Sequence, residues 1–153
     1  MASAIRLPRA RRALRGACGS GRTRARDPRA RSPDPSLDTA LAQAGALFTA
    51  GLYFEVHEIL EPHWMRAEGE ARETLQGLIQ AAVGYQHLAN GNLAGARALL
   101  HDGAAKLLGR KRPGADLDAF ARGVADHARA LTLPDARAAG FDWSCVPRFP
   151  ARV

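Results

Sequence analysis

Apolar residues recur at three- and four-residue spacing along most of the chain, and no window sustains the period-two alternation of a half-buried strand. Five helices follow from that pattern. Leu37, Leu41, Ala44 and Phe48 form the first stripe, with Ser36 placed to cap it and Gly51 to close it in a left-handed conformation. The second helix runs from about Leu52 to Met65, carrying Tyr53, Leu60 and Trp64 on one stripe. Pro62 lies inside that span and is expected to kink its last turn or end it near Glu61. After a break at Gly69, Glu70 to Ala89 reads as a long third helix whose Leu75, Leu78, Ile79, Ala82, Val83 and Tyr85 make a broad apolar face. Asn90-Gly91-Asn92 is a tight turn, and Leu93 to Leu108 is the fourth helix. Gly109 to Gly114 is a linker, and Asp116 caps a fifth helix from Leu117 to Leu131, ended by Pro134.

Short loops between consecutive helices make antiparallel neighbours, so the expected class is all-α, a small up-down bundle of four to five helices. The bundle domain is assigned to residues 36–133. Residues 134–153 read as an irregular C-terminal tail, with Phe141 and Trp143 among Pro147 and Pro150, from which one aromatic is expected to pack back onto the bundle. Beyond residue 35 the chain is long enough to bury roughly two-thirds of its unfolded surface and so to hold a core of its own.

Charge changes the picture only at the N-terminus. The chain carries 22 Lys and Arg against 15 Asp and Glu, a net +7 that suggests a polyanion partner. Ten of those arginines lie in residues 1–35 against Asp27 and Asp34, so the remainder is close to neutral. That stretch is also rich in Gly and Pro and poor in large apolar residues, which makes it a disordered basic tail. A solvated extension is the simplest reading of it; an organelle transit peptide has a similar composition, and arginines also neutralise phosphates. Nucleic acid is thus a candidate partner only through the Arg-rich tail. No apolar run reaches the about 18–20 residues of a membrane-spanning helix, and no secretory signal follows the charges, so a cytoplasmic chain with no membrane partner is expected. Cys18 and Cys145 make neither a disulfide framework nor a metal pattern, and only 6% of residues are aromatic, against a sheet-rich sandwich.

The chemistry concentrates in the second and third helices. In Tyr53-Phe54-Glu55-Val56-His57-Glu58-Ile59-Leu60-Glu61, His57 and Glu61 are four apart and share a helical face with Tyr53, Leu60 and Trp64 beside them. Glu58 falls at the rim of that face. The third helix offers a second polar line in Gln76, Gln80 and His87, and two such lines on antiparallel neighbours can form one pocket. Three outcomes are open for it. His57, a glutamate and a glutamine can satisfy one another as a buried network, since unpaired buried polar groups are costly. A small polar ligand or a protein partner can be oriented there. Or His57, Glu61 and His87 can ligate a divalent metal with Glu58 as base, as in a metal-dependent hydrolase. His-Glu-x-x-Glu is only superficially similar to the His-Glu-x-x-His of metalloproteases, because Glu61 stands at the second histidine. No cofactor is required by the other two readings. There is no phosphate-binding glycine loop, no Gly-x-Ser-x-Gly elbow and no cysteine–histidine pair, and His101 and His127 have no companion at ligand spacing.

Phe48, Gly51-Leu52-Tyr53-Phe54-Glu55 and His57-Glu58-Ile59-Leu60-Glu61 followed by Trp64 form one block. Leu75-Gln76-Gly77-Leu78-Ile79-Gln80, Tyr85, His87-Leu88, Gly91-Asn92, Gly95-Ala96 and Leu99-Leu100 form a second. Together, from Phe48 to Leu108, they resemble the domain of unknown function 309 family. That resemblance implies a compact all-helical domain without an established activity. It maps motif residues onto Glu55, His57, Glu58, Glu61, Trp64, Gln76, Gln80 and His87, which with Tyr53 are the site candidates. The expected function is a non-catalytic binding or scaffold module with a His/Glu/Gln pocket between the second and third helices.

Overall fold

The computed structural model describes residues 35–112 and 115–151. The disordered-tail reading of residues 1–35, with its arginines and Cys18, lies outside the described residues except for Pro35, which begins a helix.

The helices are α1 (Pro35–Thr49), α2 (Tyr53–Arg66), α3 (Gly69–Ala89), α4 (Leu93–Leu107) and α5 (Leu117–Ala130). Two single turns of 3-10 helix follow, Ala138–Gly140 and Trp143–Cys145. Among the described residues there is no strand, only an isolated bridge between Arg112 and Ala115 at the linker turn. Each helix packs on the next, α1 on α2, α2 on α3, α3 on α4 and α4 on α5, so the all-α bundle read from the sequence is the fold. None of the described helices is long and apolar enough to cross a membrane.

Local chemistry explains most of the boundaries. Asn92 and Asp116 cap α4 and α5, their side chains accepting from the backbone N–H of Gly95 and Ala119, each at 2.9 Å. Gly51 and Gly91 hold φ of +78° in the turns that they close, where a side chain would be strained. Two expectations are corrected. α1 starts at Pro35, one residue before the expected cap Ser36, and proline's fixed φ and missing N–H suit a first helical position. Pro62 does not end α2 at Glu61, since the helix continues to Arg66. Pro62 and Glu58 are both exposed, so the carbonyl that loses its donor is on the water-facing side. At the C-terminal end of α2, the Arg72 guanidinium donates to the carbonyls of Trp64 (2.9 Å) and Ala67 (3.3 Å), replacing bonds that a helix end lacks.

The core has two parts. One is the seam between α3 and α4, where small residues bring the backbones close: a Cβ placed on Gly103 would lie 2.9 Å from both Ala81 N and Gly77 O. The other is an aromatic hub around Phe48, with ring centroids of Tyr53 at 5.1 Å, Tyr85 at 5.7 Å, Phe120 at 5.7 Å and Phe149 at 5.2 Å. Phe149 is the aromatic of the C-terminal segment that returns to the bundle. It is only 4% exposed, while Phe141 is partly buried and Trp143 remains 40% exposed.

Candidate functional site

His57, Glu61 and Trp64 follow one another along a single face of α2, four and then three residues apart. His57 Nε2 lies 3.8 Å from Glu61 Oε2, close enough for an ion pair but too far for a hydrogen bond. The His57 ring also packs against Phe54, at 5.9 Å between centroids. Trp64 is buried, and the Arg72 guanidinium stands 4.1 Å over its ring in a cation–π contact that crosses the α2–α3 turn. Glu58 is fully on the exposed side, and Glu55 is half-buried.

On α3, Gln76 and Gln80 are half-buried. Gln80 leans on α4, since a Cβ at Gly103 would come 3.3 Å from the Gln80 Cβ. His87 is committed elsewhere: its Nδ1 is 2.9 Å from Asn92 Nδ2, beside the cap that starts α4. Tyr53 is likewise drawn away from the polar line into the aromatic hub.

The mutual network expected of these residues does not form. Four buried side-chain N or O atoms among the described residues have no hydrogen-bond partner, and three of them belong to this line: His57 Nδ1, Trp64 Nε1 and Gln80 Oε1. Nor does the set proposed as metal ligands converge. His57 and Glu61 are together, but His87 is bonded at the far end of α3, and no three His, Cys, Asp or Glu side chains among the described residues gather in a metal-holding arrangement. Glu58, exposed, is not positioned over a shared centre.

Two contacts lay beyond sequence reasoning. Arg72 is eight residues from Trp64, a spacing that only the hairpin folding of α2 onto α3 makes local. His127, without a companion in its own helix, has one across the bundle: its Nδ1 is 2.8 Å from the Tyr85 hydroxyl, and its ring meets Phe141 at 5.0 Å. Burial drives the Tyr85 hydroxyl far above the ordinary tyrosine range, with the neighbouring Tyr53 adding to the effect. Burial also lowers the pKa of His127 below its usual 6.5, against a smaller opposing pull from Asp126. The neutral imidazole is therefore the form that the fold favours. Its contribution to stability is complete above the ordinary histidine pKa and is lost as pH falls through the depressed folded value. Urea midpoints are expected to fall between about pH 7.5 and about pH 5.5, and His127→Phe to flatten that fall. An unchanged slope in the variant would remove His127 from the account.

The arrangement defines a class before it defines a relative: a small helical-bundle domain with a partly buried His/Glu/Gln/Trp line, in which no three His, Cys, Asp or Glu among the described residues are grouped to hold a metal. The family model DUF309, a domain of unknown function, matches residues 41–99, which bears out the resemblance read from the two sequence blocks. That segment runs from Leu41 in α1 to Leu99 in α4 and contains every site candidate. Comparison with curated proteins and with solved structures gives no match.

Proposed function

We propose that the bundle is a non-catalytic binding module whose guest is held along the polar edge of α2 and α3. One observation carries this reading. His57 Nδ1, Trp64 Nε1 and Gln80 Oε1 are buried and unpaired, although each such atom costs roughly 1–3 kcal/mol. A guest offering both a donor and an acceptor, either a small polar molecule or a backbone segment of a protein partner, supplies what they lack. Trp64 donates, Gln80 accepts, His57 does either according to its tautomer, and Glu61 adds negative charge beside it. The reading needs no cofactor.

The test has two arms. Removing an unpaired acceptor does not harm the free protein, so Gln80→Met is expected to match or exceed the wild-type thermal midpoint. In NMR titrations, N-methylacetamide, which carries one N–H and one C=O, is expected to shift the Trp64 indole and Gln80 side-chain resonances saturably in wild type. The Gln80→Met variant should lose the saturable response. A destabilised Gln80→Met together with no response to the amide would overturn the proposal. Untagged protein is expected to carry no stoichiometric transition metal by plasma mass spectrometry; retention of one that His57→Ala abolishes would replace this reading with a metal site.

A further inference from the structure

The C-terminal segment does more than cap the core. With the ends of α1 and α2 it walls a slot of about 230 Å³, lined by Phe48, Thr49, Tyr53, Trp143, Val146 and Arg148. The slot depends on residues 143–148, which lie beyond the family match, and Tyr53 is the one site candidate in its lining.

Its walls are aromatic. The Tyr53 and Trp143 rings lie nearly parallel, 6.0 Å apart at 25°, and Phe48 closes the inner side against Tyr53. Its polar equipment is small and uncommitted. Tyr53 is 6% exposed, yet its hydroxyl makes no hydrogen bond with the described residues, and burial raises its pKa, keeping the O–H a neutral donor. The Thr49 hydroxyl donates to Gly45 O at 2.9 Å, which leaves its oxygen free to accept. Arg148 is exposed and is the one charged residue lining the slot. The Asp142 carboxylate earlier in the same segment is held by the Ser144 N–H (3.0 Å), the Ser144 hydroxyl (2.6 Å) and the Cys145 thiol (3.2 Å).

We propose that this slot binds a small aromatic carboxylate, its ring against Tyr53 and Trp143, its carboxylate on Arg148, and one carboxylate oxygen accepting from the Tyr53 hydroxyl. The volume sets the size. Drug-sized ligands occupy about 300–1,000 Å³, so a slot of about 230 Å³ admits a single ring with its acid group. The aromatic walls select the ring, through offset or edge-on contacts. The charge selects the acid, because a guanidinium pairs with a carboxylate in two parallel hydrogen bonds. Phe149, next to Arg148 in the chain and buried between Phe48 and Phe120, fixes the backbone that presents the guanidinium.

Sodium benzoate is the probe, titrated into the full ¹⁵N-labelled chain. Saturable shifts are expected at the Trp143 indole N–H and at the Thr49 and Val146 amides, with half-saturation in the millimolar range or below. Sodium acetate, which has the charge without the ring, and benzyl alcohol, which has the ring without the charge, are expected to shift these signals little. Arg148→Gln, an exposed substitution that leaves the fold intact, is expected to weaken benzoate binding at least about tenfold. Tyr53→Phe keeps the ring and is expected to weaken it by about three- to tenfold. Shifts that do not saturate by about 20 mM, an equal response to acetate, or unchanged affinity in Arg148→Gln would each overturn the assignment.

Discussion

Phe149→Ala is expected to destabilise the protein by about 3–5 kcal/mol, the range for emptying a buried aromatic position. The side chain is 4% exposed and meets Phe48 at 5.2 Å and Phe120 at 5.8 Å, so its loss opens a cavity between α1 and α5. Those two helices also meet directly through the edge-on contact of Phe48 with Phe120. The consequence reaches past the cavity, because Phe149 also holds Pro147 over Gly123 and Ala151 over Gly45. For a domain of this size the loss corresponds to a fall of roughly 12–20 °C in thermal midpoint. Trp143→Ala supplies the comparison. It lies six residues earlier in the same segment but is 40% exposed, so a loss of about 1 kcal/mol or less is expected. Urea unfolding followed by circular dichroism measures both. Equal effects from the two substitutions would mean that the segment does not close the core.

Gly103→Ala is expected to cost about 2–3 kcal/mol despite adding a single methyl group. The new carbon would sit 2.9 Å from Ala81 N and from Gly77 O, and backbone atoms cannot rotate away as a side chain can. The helices must separate, which loosens the seam along its length. Gly77→Ala tests the reasoning from the other side of the seam. Its Cβ meets the buried Leu107 side chain at 2.8 Å and a single backbone atom, Gly103 O, at 3.1 Å, against two backbone atoms at 2.9 Å for Gly103, so a smaller loss is expected. Gly140→Ala, where a Cβ meets nothing within 4 Å, should change stability by no more than about 0.5 kcal/mol. The order Gly103, Gly77, Gly140 is what thermal melts should return; any other order would place the close approach of α3 and α4 elsewhere.

The five helices, the closing Gly51, the turn at Asn90-Gly91-Asn92 and the cap at Asp116 were legible in the sequence because each depends on atoms within about four residues, whereas the capping bond of Asn92 emerged only in the structure. His57 and Glu61 were legible as neighbours for the same reason. The two boundary errors were also local in origin. Pro35 took the place expected of Ser36, and Pro62 was tolerated because its face of α2 is exposed.

What the sequence could not decide was which side chains meet across helices. His87 looked like a pocket residue by its spacing from Gln80, but Asn92, five residues on, captured its ring nitrogen. Tyr53 sat on the polar stripe in sequence and joined the aromatic hub in space. Tyr85 and His127 are 42 residues apart and share a hydrogen bond. Helical period fixes the angle at which a side chain leaves its own axis, and nothing in that period fixes the neighbour it finds. That is set by the separation and register of the packed helices, which here depend on the glycine seam between α3 and α4 and on a phenylalanine supplied from the end of the chain.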